Sequence, residues 1–127
     1  MMKMGYIYLR PSEIFYSQTS IANSFKDGHL IGEVLDDILN GKMLHSDLPK
    51  IEVKLTDGHY VSADNRRLWV LKELENLGHL DEISVKTTRW ICRGKRARTL
   101  CVKIRGDGPG GNEVVRMSLK FSSLLQL

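Results

Sequence analysis

The stretch between Ile51 and Gly78 constrains the fold of this chain more than any other. Residues 51–55 alternate apolar and polar side chains, as expected for a strand with one buried face. Asp57-Gly58 is a favoured pair for a tight turn, and residues 59–62 return as a second strand. A helix is predicted over 66–77, with Asp64 as its N-cap and Gly78 just past its end. A hairpin that leads directly into a helix predicts a fold that combines strands and helices.

Hydrophobic periodicity predicts the elements around this unit. Residues 31–39 carry apolar side chains at i, i+3, i+4, i+7 and i+8, and Gly41 follows as a C-cap, so a second helix is expected there. The other predictions are strands over 6–10 and 83–87, one or two helical turns over 21–25, a hairpin made by 89–93 and 99–105, a loop over 106–112, and a closing strand over 113–121.

The chain of 127 residues is predicted to be a single domain, residues 1–127. It has no apolar run near the ~20 residues that a membrane helix needs, and its start is too short and polar for a secretory signal. It contains two cysteines, Cys92 and Cys101, which we interpret as buried thiols rather than a disulfide. A cytoplasmic or nuclear protein with no membrane partner is expected.

Charge is strongly segregated along the chain. Residues 83–106 contain no Asp or Glu but eight of the 19 basic residues, which leaves 11 basic residues against all 15 acidic residues elsewhere. Such segregation indicates an anionic partner, with nucleic acid as the leading candidate and a solvated basic surface as the alternative. The predicted nucleic-acid contacts are Lys86, Arg89, Arg93, Lys95, Arg96, Arg98, Lys103 and Arg105.

The start of the second predicted helix carries the strongest chemical signal. Its first turn contains Asn65, Arg66 and Arg67 behind Asp64. Exposed N–H groups and the helix dipole attract phosphate, and guanidinium groups bind phosphate oxygens in pairs. Two cations at this end oppose the dipole, which indicates an anion that satisfies them. That anion is either a bound phosphate or the carboxylate of Asp64 itself.

Two further polar residues are candidates for the same site. Ser17 and Gln18 precede the short predicted helix over 21–25, where they would either contact a ligand opposite the arginines or cap that helix. The four histidines show no spacing typical of metal ligands, so no metal site is predicted.

The segment from Asp57 to Leu74 resembles the core of the ParB/sulfiredoxin superfamily, in which a strand leads through a short Gly-x-x-Arg motif into a helix. In that superfamily the motif binds nucleotide phosphates. Members include chromosome-partition proteins that bind and hydrolyse CTP, sulfiredoxins that use ATP, a free-serine kinase, and proteins described as nucleases. Here Asp64 stands at the glycine position, and Arg67 matches the motif arginine. Asn65 stands where sulfiredoxins have their reactive cysteine, so sulfiredoxin activity is not expected.

The resemblance implies an α+β domain with a small mixed sheet, flanking helices and a C-terminal β-hairpin. The leading hypothesis is a nucleotide- or nucleic-acid-binding domain that holds phosphate at residues 64–67 and a nucleic acid backbone on the hairpin. It leaves open a nucleoside triphosphate cofactor, with or without Mg²⁺. Two alternatives remain. One is a small nuclease or toxin-like effector, or a nucleotide hydrolase, whose catalytic residues the pattern does not reveal. The other is a module that binds an acidic protein.

Overall fold

The computed structural model describes residues 5–111, which form an α+β domain. Two single turns of 3-10 helix cover Pro11–Glu13 and His45–Asp47. The strands and α-helices, in chain order, are β1 (Tyr6–Leu9), β2 (Ile14–Phe15), β3 (Ser20–Ile21), α1 (Ile31–Leu39), β4 (Glu52–Thr56), β5 (His59–Ser62), α2 (Asn65–Asn76), β6 (Ile83–Thr87) and β7 (Lys103–Ile104).

Five strands form one mixed sheet in the order β1-β6-β4-β5-β2. β1 is antiparallel to β6, and β4 is antiparallel to β5, whereas β4 and β6, like β2 and β5, are parallel. β3 and β7 form a separate parallel pair. The turn between β4 and β5 has positive φ at both Asp57 (49°) and Gly58 (81°), which is the requirement of a two-residue type I′ hairpin. The hairpin predicted over 51–62 is confirmed.

The inner face of the sheet and α2 form most of the hydrophobic core. Residues that alternate along the strands, among them Ile14, Val53 and Val85, are fully buried on this face. The apolar residues of α2 that lie in this core are Leu68, Trp69, Val70, Leu71 and Leu74. Because α2 is buried on more than one side, its first turn is held firmly relative to β4 and β5.

The predicted end of α2 is confirmed. Gly78 has φ of 81°, and its N–H donates to the carbonyl of Glu75 at 3.0 Å. The next N–H, of His79, donates to the carbonyl of Leu74 at 2.8 Å. This pair of bonds is the Schellman ending, which requires a residue that tolerates positive φ.

Two predictions of local structure are wrong. Residues 21–25 are not helical, because Ile21 belongs to β3 and pairs with Ile104. Residues 89–105 do not form a hairpin, since their backbone pairs with residues far away in sequence. Thr99 bridges Tyr16, and the N–H of Ala97 donates to the carbonyl of Ser17 at 3.0 Å. The strand predicted over 113–121 lies outside the described residues.

The two cysteines are also placed differently from the prediction. Cys92 and Cys101 are both free thiols, as expected, but both are exposed. The prediction that they are buried is therefore wrong.

Gly32 in the first turn of α1 anchors the loop over 106–111. Its N–H donates to the carbonyl of Pro109 at 2.7 Å, and a methyl group on its Cα would clash with the carbonyl of Gly110. The loop backbone therefore packs directly on the helix backbone, and glycine is needed for this close approach.

Gly32→Ala is expected to lower the free energy of unfolding by about 1–2 kcal/mol, measured by urea denaturation. At a helix position with no neighbouring atoms, Gly→Ala raises the free energy of unfolding by up to about 1 kcal/mol. A decrease in the free energy of unfolding therefore indicates that the loop contacts Gly32. Gly94→Ala is the control, because a methyl group on the Cα of Gly94 would meet no atom within 4 Å. A stabilised Gly32→Ala variant would contradict the contact.

Candidate functional site

The connection from β5 into α2 places Asp64 at the N-cap position, but its carboxylate does not cap the helix. One oxygen, Oδ2, accepts the backbone N–H of Glu52 at 2.8 Å. The other, Oδ1, accepts from the guanidinium of Arg67 at 2.6 Å. Asp64 therefore ties the start of α2 to the start of β4 instead of satisfying the helix N–H groups.

The first backbone N–H groups of α2 remain available as a result. The first helical hydrogen bond joins the N–H of Leu68 to the carbonyl of Asp64 at 3.0 Å. Among the described residues, the backbone N–H groups of Asn65, Arg66 and Arg67 have no hydrogen-bond acceptor. Such unpaired donors carry the positive end of the helix dipole.

Asn65 is the centre of a buried polar network. The side chain is 3% exposed, and its Oδ1 accepts the backbone N–H of Ser17 at 2.9 Å. Its Nδ2 donates to Ser17 Oγ and to Gln18 Oε1, both at 3.0 Å. The single hydroxyl proton of Ser17 goes to the carbonyl of Ser62 at 2.5 Å, which is the shortest contact open to it. The network fixes the segment around residues 17–18 beside the first turn of α2.

The guanidinium of Arg67 forms its hydrogen bonds within the protein. Besides Asp64, its guanidinium donates to the carbonyls of Pro49 and Lys50 at 2.8 and 3.0 Å. Its side chain is 23% exposed. Arg67 thus binds the backbone of the connection that leads into β4, and few of its N–H groups remain for a ligand.

Arg66 differs from its neighbour. It donates to the carbonyl of Ser24 at 2.6 Å and stands 5.8 Å from the ring centroid of Phe25. Among residues 5–111, no carboxylate lies within 4 Å of it. The contacts with Ser24 and Phe25 hold the guanidinium in place, but no described carboxylate neutralises its charge.

A cleft of about 310 Å³ opens in front of this first turn. Arg66 and Arg67 line it together with Lys95 and Arg105, and within residues 5–111 Asp64 is the one acidic residue that lines it. Lys95 donates to the carbonyl of Ala63 at 2.6 Å, and Arg105 donates to Ser20 Oγ at 3.2 Å. The cleft therefore carries a net positive charge of three, of which two charges come from the basic segment.

The structure thus joins two sets of residues that the sequence suggested separately. Gln18, Asn65, Arg66 and Arg67 share the cleft with Lys95 and Arg105. Sequence reasoning missed Phe25, which supports Arg66, and Ser62, which holds Ser17. Neither has a charge or a spacing that marks it in the sequence. Ser62 comes close to Ser17 because β2 pairs with β5.

The rest of the predicted basic set lies elsewhere. Arg93, Arg96 and Arg98 line a second cleft of about 400 Å³ with Lys95. Arg98 is paired with Asp57 at 3.3 Å, and Lys86 with Glu52 at 3.9 Å. Arg89 and Lys103 are exposed and line neither cleft.

A larger and more apolar groove of about 700 Å³ adjoins the first cleft. The two share Phe25, Asp64, Arg66, Arg67 and Lys95. The apolar residues of the groove are Phe25, Val34, Met43, Leu48 and Pro49. Charged residues such as Lys26, Asp27 and Asp37 line the groove as well, so Arg66 lies between a cationic cleft and a groove of mixed apolar and charged character.

The far side of α2 has different chemistry. A groove of about 620 Å³ there contains Tyr16, Lys72, Glu73 and Glu75. The Lys72 ammonium lies 5.1 Å from the Tyr16 ring centroid. Burial lowers the pKa of Lys72 against the opposing effect of Glu75, and burial also raises the pKa of Tyr16. The charged residues of this groove, one lysine and two glutamates, sum to −1, so the excess of positive charge beside α2 is at its first turn.

Fold and site together define a small α+β domain with a cationic cleft at a helix start. No model of a known protein family matches the chain, and a search of curated proteins finds no similar sequence. Within residues 5–111, no helix has the length and apolar character to cross a membrane. Over the same residues, His, Cys, Asp and Glu side chains form no group of three or more that could hold a metal ion.

Proposed function

We propose that this domain binds a phosphate-bearing ligand, a nucleotide, in the cleft before α2. The observation that carries the proposal is the convergence of Arg66, Lys95 and Arg105 on one small cleft, with no carboxylate within 4 Å of them in the described chain. Concentrated positive charge that the protein does not neutralise favours an anion from outside.

Each group has a distinct role in the proposed site. Arg66 donates to phosphate oxygens with the guanidinium edge that Ser24 leaves free, and the N–H groups of residues 65–67 add neutral donors. Lys95 and Arg105 lower the electrostatic cost of a multiply charged group. Arg67 and Asp64 position the turn through each other and through β4, and do not bind the ligand.

The apolar residues of the adjoining groove favour a ligand that has an organic part as well as phosphate. A nucleotide placed with its phosphates in the cleft would direct its sugar and base towards Phe25 and Leu48. Because Arg66 lines both the cleft and the groove, a single ligand can occupy the two together. The proposal therefore predicts tighter binding of nucleotides than of inorganic phosphate.

Arg66→Gln is expected to weaken binding of nucleoside triphosphates by tenfold or more, about 1.4 kcal/mol, since a charge-assisted bond is lost. The measurement is a titration of the four common ribonucleoside triphosphates, followed by the amide chemical shifts of residues 65–67. Inorganic phosphate is titrated in parallel.

Arg10→Gln is the matched control. It removes the same charge near the other end of α2, where Arg10 contacts Glu75 and Asp81 at 3.7 and 3.8 Å. Binding by this variant should stay within about twofold of wild type. Equal weakening by both changes would mean that the ligand senses only net charge, and absence of nucleotide binding by the wild type would end the proposal.

A further inference from the structure

The strand register gives the sheet an outer face with a distinct composition. Tyr6 lies directly opposite Lys86, and Tyr8 opposite Ser84, across the β1–β6 pair. Because directly paired residues lie on the same side of a sheet, all four are on one face, and their neighbours Ile7 and Val85 point to the core. Tyr6 and Tyr8 are 62% and 71% exposed.

These tyrosines form a regular aromatic surface. As residues i and i+2 of one strand, their side chains leave the sheet about 6.8 Å apart and in the same direction. A cation accompanies the first ring, since the Lys50 ammonium lies 5.7 Å from the Tyr6 centroid. Exposed aromatic rings beside lysines are suited to flat ligands that carry negative charge.

The basic segment lies beside the other half of the same face. The register places Lys54 and Val61 on the outer side of β4 and β5. Both line the 400 Å³ cleft, along with Arg93 and Arg96. The face thus offers exposed rings on β1 and a cationic cleft over β4 and β5.

Three acidic residues lie on or beside this face. Glu82 lines one pocket with Tyr8 and Ser84, and the other two are paired with basic residues. Glu52 is on the outer side of β4, but it lies 3.9 Å from Lys86. Asp57 at the hairpin turn is paired with Arg98 at 3.3 Å. Arg93 and Arg96 have no such partner among the described residues, so the face as a whole is complementary to a polyanion.

We propose that the outer face of the sheet binds single-stranded nucleic acid. Its bases stack on Tyr6 and Tyr8, and its phosphates contact Lys86 and the cationic cleft. Stacked rings distinguish this ligand from an acidic peptide, which has charge without base planes. The bases of a duplex are already stacked on each other, so a single strand is the form that this face can use. The surface shares Lys95 with the cleft before α2, but its other residues are different, and the proposal goes beyond the function proposed for that cleft.

The test is fluorescence anisotropy with labelled ten-nucleotide oligo(dT) and oligo(rU), and with a duplex of equal length. The wild-type chain should prefer the single strands. Tyr8→Ala should weaken single-strand binding by about tenfold, since aromatic stacking contributes strongly per base, and Tyr8→Phe should restore it. Leu55→Ala is the matched control, because Leu55 is 58% exposed but points to the other side of the sheet. It should bind like wild type.

Arg96→Gln should weaken binding and flatten its dependence on salt, because a phosphate contact is lost. Lys42→Gln removes a positive charge from an exposed residue that lines neither cleft, and it should leave single-strand affinity within about twofold of wild type. Three results would overturn the inference: wild-type affinity in Tyr8→Ala, equal affinity for duplex and single strand, or competition by polyglutamate as effective as that by unlabelled oligonucleotide.

Discussion

Asn65→Ala is expected to destabilise the domain by about 3–4 kcal/mol, the largest effect predicted for a single side chain here. The change removes the acceptor of the Ser17 N–H and the donor to Ser17 Oγ. Both Ser17 and Asn65 lie in the interior, so water cannot replace these partners without opening the structure. A small domain has a total stability of only about 5–15 kcal/mol, so urea denaturation should show a large shift in midpoint.

Gln18→Ala separates the buried part of this network from its exposed part. Gln18 accepts one bond from Asn65 and is only half-buried, so its loss should cost about 1 kcal/mol or less. If Asn65→Ala were no more destabilising than Gln18→Ala, the network would not hold the first turn of α2. The site would then lack the fixed geometry on which the proposed phosphate binding depends.

The elements predicted correctly are those whose pattern is long and local. α2 combines apolar residues at helical spacing with Gly78, and the hairpin over 51–62 combines alternation with an Asp-Gly turn. In both cases the residue propensities, the spacing of the apolar residues and the residues that end the element predict the same structure, and tertiary contacts agree with it. The α+β class follows from these two units alone.

The elements predicted wrongly are short and depend on distant partners. Ile21 is in a strand because Ser20 and Ile21 pair with Lys103 and Ile104, and a strand of two residues has no period to detect. The alternation in 89–105 suggested a hairpin. The bridge of Thr99 to Tyr16 shows that the backbone of this segment pairs with the region after β2 instead. Non-local pairing of this kind cannot be derived from local pattern.

The same distinction applies to the site. The sequence predicts that Ser17 and Gln18 either contact a ligand opposite the first turn of α2 or cap a helix over 21–25. That helix does not form, and the structure places both residues beside the first turn, where they bond to Asn65. The sequence could not show that Arg67 turns towards the carbonyls of Pro49 and Lys50, because a helical wheel contains no information about a neighbouring connection. The pattern therefore did not predict that the guanidinium of Arg67 is bound to the protein while that of Arg66 keeps free donors, although both arginines line the cleft.

Asp64→Ala is expected to lower the free energy of unfolding by about 2–3 kcal/mol. It leaves the half-buried guanidinium of Arg67 without its carboxylate, and the N–H of Glu52 without its acceptor at 2.8 Å. Arg67→Ala should cost a similar amount, because it leaves Asp64 and two carbonyls unpaired. Urea denaturation of both single variants and the double variant measures the coupling, which should reach about 1–2 kcal/mol for residues in direct contact.

Arg66→Ala is the control for the Asp64/Arg67 double-mutant cycle, because it removes the neighbouring arginine of the same helix turn. Arg66 has a single carbonyl partner, so its removal should cost no more than about 1 kcal/mol of stability, while it should abolish most of the nucleotide affinity. Arg67→Ala should show the reverse balance, with a large loss of stability and nucleotide affinity largely kept in the folded fraction. If Arg67→Ala left stability intact and removed binding, the ligand would be held by the motif arginine. Asp64 would then compete with that ligand for Arg67 rather than position it.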